Sequence, residues 1–165
     1  VEIRPRRGTF VTEVTKRDVA ELFEIRLLIE LYAAEELFRK NKVQSLLHGF
    51  APYLDRMQAA ISEDDYVDYE AFISGDRDLH TLIVEQLGNQ RLFTIYNELN
   101  IHMRIARAHY SDTVENALQA QVEHQAMVTA LEAEDLEALK SALRAHIVNV
   151  KDRMIELIED LGGKL

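Results

Sequence analysis

The sequence has no cysteine among its 165 residues, which excludes disulfide bonds, a thiolate metal site and a cysteine nucleophile. No run of eighteen or more uncharged apolar residues is present, so no segment is expected to span a membrane. The first residues do not resemble a signal peptide. We therefore expect a soluble cytoplasmic protein.

Positive charge is also scarce, since the formal net charge is −10. Residues 1–16 carry a net charge of +2, so the remainder of the chain carries −12. An acidic body of this kind should repel nucleic acid, and only the short basic N-terminal segment has the sign for contacting phosphate. Hydrophobic residues make up 47% of the sequence, which is enough for one domain with a buried core.

Only two prolines and six glycines interrupt the chain, and beyond residue 16 its apolar residues recur at helical spacing. The sequence predicts an all-α antiparallel bundle of six helices, or seven if Pro52 divides the second, preceded by a short strand and linker at 1–16. Predicted helices run from Thr15 or Arg17 to about Lys40, then over about 43–62, from Asp64 or Asp65 to Leu87, and over about 90–110, 113–133 and 135–161. Gly49 and Pro52 predict a break or kink in the second, and Asp64 or Asp65 is the predicted N-cap of the third. Asp135 is the predicted N-cap of the sixth.

Four polar residues interrupt otherwise apolar helix faces. Asp76 and His80 are four residues apart and project from one face, while His124 and His146 lie in apolar rows of two later helices. Burying these groups without partners would be costly, and a divalent metal would satisfy them. Aspartate oxygen and histidine nitrogen suit zinc, nickel, cobalt or iron. The alternative is that each histidine is a core residue hydrogen-bonded to a neighbour, with Asp76 and His80 bonded within their helix.

A second set of residues is a candidate for binding an organic acid. Arg26 could face a carboxylate ligand, or it could form an intrahelical salt bridge with Glu30 at a helix seam. The other candidates are Arg104, Arg107, His102 and Asn149. His48 and His109 are expected at a turn or on the surface.

Several segments in order resemble the effector-binding (FCD) domain of the FadR subgroup of GntR-type bacterial transcription regulators. They are LFEIRLLIELYAAEEL at 22–37, DDYVDYEAFISGDRDLH at 64–80, LGN at 87–89 and EHQAMVTALEAEDLEALKSALRAH at 123–146. RRGTFVTEV at 6–14 resembles the end of the wing of a winged helix-turn-helix. The resemblance therefore divides the chain into a wing end and linker at 1–16 and a helical effector-binding and dimerisation domain at 17–165, with most of the DNA-binding domain outside this sequence.

The resemblance implies a helical bundle that holds a divalent metal, most often zinc, through one Asp and three His. The matching positions are Asp76, His80, His124 and His146, the same four that periodicity singles out. It further implies a small organic acid bound beside the metal and a homodimer that controls DNA binding through the missing domain. Leu79 stands where the family often has Phe.

Two other functions compete with this sensor. A metal-dependent hydrolase or lyase of small acids could use the same ligands, but there is no HExxH motif, and Glu30 is the only candidate general base. A structural bundle that only dimerises would ignore organic acids.

Overall fold

The structure, a computed structural model, describes residues 2–4, 8–10, 14–62, 64–107, 113–160 and 162, with the backbone alone described at 2–4, 8–10 and 101–107. Within these ranges it contains six helices: α1 (Lys16–Arg39), α2 (Val43–Ala59), α3 (Tyr69–Glu85), α4 (Gln90–Arg107), α5 (Val114–Glu132) and α6 (Leu136–Asp160). Strands β1 (Glu2–Arg4) and β2 (Gly8–Phe10) pair antiparallel before the bundle, with Ile3 opposite Thr9. The predicted all-α fold is confirmed.

Polar side chains cap the N-termini of most of the helices. Thr15 and Asp18 form a capping box at α1, Thr113 caps α5, and Asp135 accepts a hydrogen bond from the Ala138 N–H at the start of α6. These contacts satisfy backbone donors that have no partner within the helix. The predicted cap of α6 is therefore confirmed.

The predicted start of α3 is wrong. The helix begins at Tyr69 and is capped by Asp68, whose carboxylate accepts from the Ala71 N–H. The chain before it folds back onto the end of α2, because the N–H groups of Val67 and Asp68 both donate to the Ala60 carbonyl. That turn holds Asp64 and Asp65 outside the helix.

The second helix is not broken at Pro52. It runs unbroken through this proline to Ala59. Proline removes one backbone hydrogen bond, but Phe50 and Met57 are fully buried on either side of it. Core packing therefore holds both halves of α2 in one helix.

The helices pack as a bundle in which α1 lies against α3, α4 and α6, α2 lies against α3 and α5, and α5 lies against α6. Large apolar side chains fill the centre, and the fully buried ones include Phe23, Leu37, Leu46, Phe50, Leu79, Ile83, Met127, Leu131, Leu139 and Leu143. Among the described residues, no helix is long and apolar enough to cross a membrane.

Candidate metal centre

Three helices bring four polar side chains to one point in the core. Helix α3 supplies Asp76 and His80, α5 supplies His124, and α6 supplies His146. All four are buried, with 4% of Asp76 and at most 1% of each histidine exposed. Each offers one ligand atom, and these atoms all lie within 4.8 Å of one another.

The three imidazoles approach the same carboxylate oxygen. The Nε2 atoms of His124 and His146 lie 3.3 Å from Oδ1 of Asp76, and Nε2 of His80 lies 3.7 Å from it. None of the three Nε2 atoms makes a well-aligned hydrogen bond with any residue that the structure describes. Ligands of a tetrahedral zinc ion lie roughly 3.3 Å apart, given Zn–N distances of about 2.0–2.1 Å. The donor set and its spacing therefore fit a divalent cation.

The balance of buried charge among the described residues also fits a divalent cation. Three buried carboxylates, those of Glu30, Asp76 and Glu123, accompany one buried guanidinium, that of Arg26. With neutral imidazoles this leaves two negative charges in the core, and a divalent cation would balance them.

Glu30 supports His80 from the far side of the ring. Its Oε2 accepts a 2.6 Å hydrogen bond from Nδ1 of His80, and its Oε1 accepts from Arg26 Nε at 2.8 Å and from the Tyr96 hydroxyl at 2.6 Å. Because Glu30 is on α1 and Tyr96 is on α4, this carboxylate joins both helices to α3.

Glu123 supports His146 in a similar way. Its Oε2 accepts from Nδ1 of His146 at 2.8 Å, and its Oε1 accepts from Nδ2 of Asn149 at 2.8 Å. The third ring differs, because Nδ1 of His124 lies 3.2 Å from the side-chain oxygen of Gln121, a neutral amide.

The surroundings shift the pKa values of these groups. Burial lowers the pKa of His80 to about 4, although Glu30 opposes the shift. Burial also lowers the pKa of His124 against the opposing effect of Asp76. For His146 burial is outweighed by the nearby carboxylates of Asp76 and Glu123, which raise its pKa. Burial would raise the pKa of Glu30, but His80 and Arg26 lower it to about 2, so Glu30 is ionised near neutral pH.

The candidate effector residues have different positions. Arg26 is 3% exposed and bonds to Glu30, as the salt-bridge alternative predicts. Asn149 is exposed and bonds to Glu123. The side chains of His102, Arg104 and Arg107 lie outside the described residues, as does His109. His48 is exposed, as expected.

Sequence reasoning missed two partners of the imidazoles, Gln121 and Glu123, and the Tyr96 hydroxyl that donates to Glu30. A signal existed for Glu123, which stands three residues after the buried Ala120 and four before the buried Met127. A charged residue at such a position needs a partner within the core. For Tyr96 and Gln121 the sequence carries no comparable signal.

The fold and the core cluster together define an all-α domain with a buried three-histidine, one-aspartate site. A family model described as the FCD domain matches residues 21–149, and the chain belongs to this family.

Two curated relatives are transcriptional repressors. The gluconate operon transcriptional repressors of Bacillus licheniformis and Bacillus subtilis (strain 168) are 24% and 23% identical to the chain over 157 residues. The alignment takes in 92% of this chain but 63% of each repressor, so the chain spans less than two thirds of the length of these curated relatives.

Solved structures show the same fold. E. coli McbR/YncC has a TM-score of 0.77 at 21% identity, covering 94% of this chain and 72% of that one. The metal-free FCD domain of TM0439 has a TM-score of 0.72 at 19% identity, covering 89% of this chain and 98% of that one. Its Zn²⁺-bound form has a TM-score of 0.67 at 20% identity, covering 86% and 94% respectively.

Proposed function

We propose that this chain is the ligand-sensing domain of a bacterial transcription regulator and that it binds a small organic acid at a divalent metal in its core. The observation that carries the proposal is the buried cluster of Asp76, His80, His124 and His146, with three Nε2 atoms aimed at one carboxylate oxygen. Membership of the FCD family and the similarity to gluconate operon repressors support the regulatory role.

Zinc is the metal that we favour, with nickel or another transition metal as the alternative. Three imidazole nitrogens and one carboxylate oxygen are suitable zinc ligands, and a Zn²⁺-bound FCD domain is among the similar structures. A metal bound here would act as a Lewis acid, and it would take a carboxylate as a fifth ligand by expanding from the four-coordinate arrangement. The protein's own part is to hold four ligands on three helices and to exclude bulk water from them.

The effector class in this proposal is a small carboxylate such as a hydroxy acid, a dicarboxylate or a sugar acid. The name of the gluconate operon repressors supports a sugar acid. Since Arg26 is bonded to Glu30, we assign the charge-pairing role to Arg104 or Arg107 of α4, with His102 beside them. We do not expect the protein to turn over the acid, because its candidate general base, Glu30, already accepts from three donors.

In the whole regulator we expect a homodimer that binds operator DNA through an N-terminal winged helix-turn-helix in the bacterial cytoplasm. Two-fold operators require a two-fold protein. Large apolar side chains are exposed on one side of α1, where Leu28 is 71% and Tyr32 50% exposed, and on α4 at Ile95. A contact between two copies would cover such side chains. Light scattering should give a dimer for the wild type, and Leu28→Glu should give a monomer if this surface is the interface.

Elemental analysis of the purified chain tests the metal. We expect close to one zinc or other transition-metal ion per chain, retained by the control His48→Ala and lost in His124→Ala. His48 is an exposed histidine outside the cluster. Absence of metal from the wild type after reconstitution with zinc, nickel and cobalt would refute the metal site.

The same proteins then test the effector. A panel of organic acids should raise the melting temperature of the zinc-loaded wild type, and an acid at a hundred times its Kd should add about 2.7 kcal/mol of stability. The metal-free wild type and His124→Ala should not respond. If acids stabilise the metal-free protein equally, the effector does not bind at the metal.

A further inference from the structure

We propose that Glu30 and Glu123 are positioning residues for the metal, each holding one imidazole in the tautomer whose Nε2 can bind it. This inference rests on the proposed function, since it assumes that Nε2 atoms are the metal ligands. It assigns a role to two buried carboxylates that do not themselves belong to the four-residue cluster.

The hydrogen bonds of Glu30 dictate the tautomer of His80. An ionised carboxylate can only accept hydrogen bonds, so Nδ1 of His80 must carry the hydrogen that bridges the 2.6 Å to Oε2. The neutral ring then has a lone pair on Nε2, the atom that points toward Asp76. Arg26 and Tyr96 fix the other oxygen of Glu30, so the carboxylate cannot rotate away.

Glu123 acts on His146 from a different helix. Nδ1 of His146 donates across 2.8 Å to Oε2, and Asn149 holds Oε1 from one turn further along α6. His146 therefore also presents a lone pair on Nε2 toward Asp76, 3.3 Å away. Hydrogen-bonded carboxylates of this kind orient a metal-bound imidazole and raise its basicity as a ligand.

His124 provides an internal contrast. Its Nδ1 faces the amide of Gln121 at 3.2 Å, and an amide can either accept or donate a hydrogen bond after a flip. Nothing at this contact forces one tautomer. The centre is therefore unequal, with two imidazoles fixed by carboxylates and a third that can take either tautomer before the metal binds.

Imidazole ¹⁵N NMR of the metal-free wild type tests the tautomers directly and needs no variant. At a pH where the rings are neutral, we expect His80 and His146 to carry the hydrogen on Nδ1 and His124 to show a mixture or the other form. Predominant Nε2–H on His80 or His146 would overturn the proposal.

Three variants then test the effect on the metal. Glu123→Gln and Glu30→Gln keep the side-chain shape but replace one acceptor oxygen with an amide donor. Because Asn149 donates to Glu123, and Arg26 and Tyr96 donate to Glu30, we expect the remaining amide oxygen to stay with these donors and the amide NH2 to face Nδ1 of the histidine. Glu132→Gln is the control, because it makes the same change at an exposed position of α5. Zinc affinity, measured by competition with a chelator, should fall roughly 10- to 100-fold in both test variants and stay unchanged in the control.

A merely structural role predicts a different pattern. It would lower the melting temperature of the metal-free protein but leave the tautomer of His146 and the absorption spectrum of bound Co²⁺ as in the wild type. We expect Glu123→Gln to change both, and Glu123→Asp, which keeps the carboxylate, to recover the wild-type tautomer. Wild-type zinc affinity in a folded Glu123→Gln protein would overturn the inference alone, whereas a wild type that binds no metal would overturn the proposed function as well.

Discussion

Gly75 of α3 lies so close to Met57 of α2 that a Cβ on the glycine would be 2.5 Å from Cγ of the methionine. Met57 is fully buried, so its side chain cannot relieve the contact by moving into solvent. Replacing a helical glycine with alanine ordinarily adds about 0.5–1 kcal/mol of stability, but overpacking costs about 1–3 kcal/mol. We therefore expect Gly75→Ala to lower the free energy of unfolding by about 1 kcal/mol, measured by urea denaturation of the metal-free protein.

The double variant Met57→Ala/Gly75→Ala is the matched control. Met57→Ala alone leaves a cavity and should cost about 2–5 kcal/mol. Without the methionine side chain, the added methyl group fills part of that cavity, so Gly75→Ala should now stabilise the protein. Additive effects of the two substitutions would show that the contact is not the cause.

The buried ion pair of Arg26 and Glu30 should be costly to break. Nε of Arg26 lies 2.8 Å from Oε1 of Glu30, and 4% of the Arg26 side chain and 0% of the Glu30 side chain are exposed. Removing one partner of such a pair leaves an uncompensated buried charge and costs about 3–5 kcal/mol. We expect Arg26→Met to lose stability on this scale in urea denaturation.

Arg17→Met tests whether burial is responsible for that loss. Arg17 also pairs with a glutamate four residues later in α1, Glu21, but its side chain is 86% exposed. Exposed pairs of this type contribute little, so the control should unfold like the wild type. Equal effects at the two positions would contradict the argument from burial.

Much of the site could be predicted from sequence because helical periodicity fixes which side of a helix a residue occupies. The spacing of Asp76 and His80 placed both on the buried face of α3, and the apolar neighbours of His124 and His146 placed those residues inward. The same reasoning gave an intrahelical salt bridge with Glu30 as one of two alternatives for Arg26, and the structure shows that salt bridge.

The remaining contacts depend on distances between helices, which no single-helix pattern contains. Tyr96 reaches Glu30 across 66 positions of sequence, and Glu123 meets His146 only because α5 and α6 pack together. The predicted cap of α3 is wrong for a related reason. Asp64, Asp65 and Asp68 are all suitable caps, and the bonds to the Ala60 carbonyl decide which of them is used.

Two lysines from the turn between α1 and α2 bind the end of α3. Nζ of Lys42 donates to the Gln86 carbonyl and Nζ of Lys40 to the Leu87 carbonyl, both beyond the last helical hydrogen bonds. Positive charge at a helix C-terminus is favourable. We expect Lys42→Met to cost about 0.5–1.5 kcal/mol in urea denaturation, with Lys151→Met, on the side of α6, close to neutral. A loss equal in both variants would refute a specific role for the cap.

The capping box at the start of α1 should make stability depend on pH. Hydrogen bonds from the Thr15 side chain and backbone lower the pKa of Asp18 below its ordinary value of 3.8. A carboxyl group with a lowered pKa in the folded state stabilises the protein above its unfolded pKa, and this contribution is lost as pH falls through the folded pKa. We expect Asp18→Asn to be about 0.5–1 kcal/mol less stable than the wild type at pH 7, and the difference between the two proteins to shrink below about pH 4. Comparing the two at each pH removes the effect of every other titrating group.

Asp135→Asn is the control, because asparagine caps a helix as well as aspartate does, and its difference from the wild type should stay small at all pH values. A wild-type advantage over Asp18→Asn that persists at pH 2.5 would mean that the carboxylate is not what stabilises the start of α1.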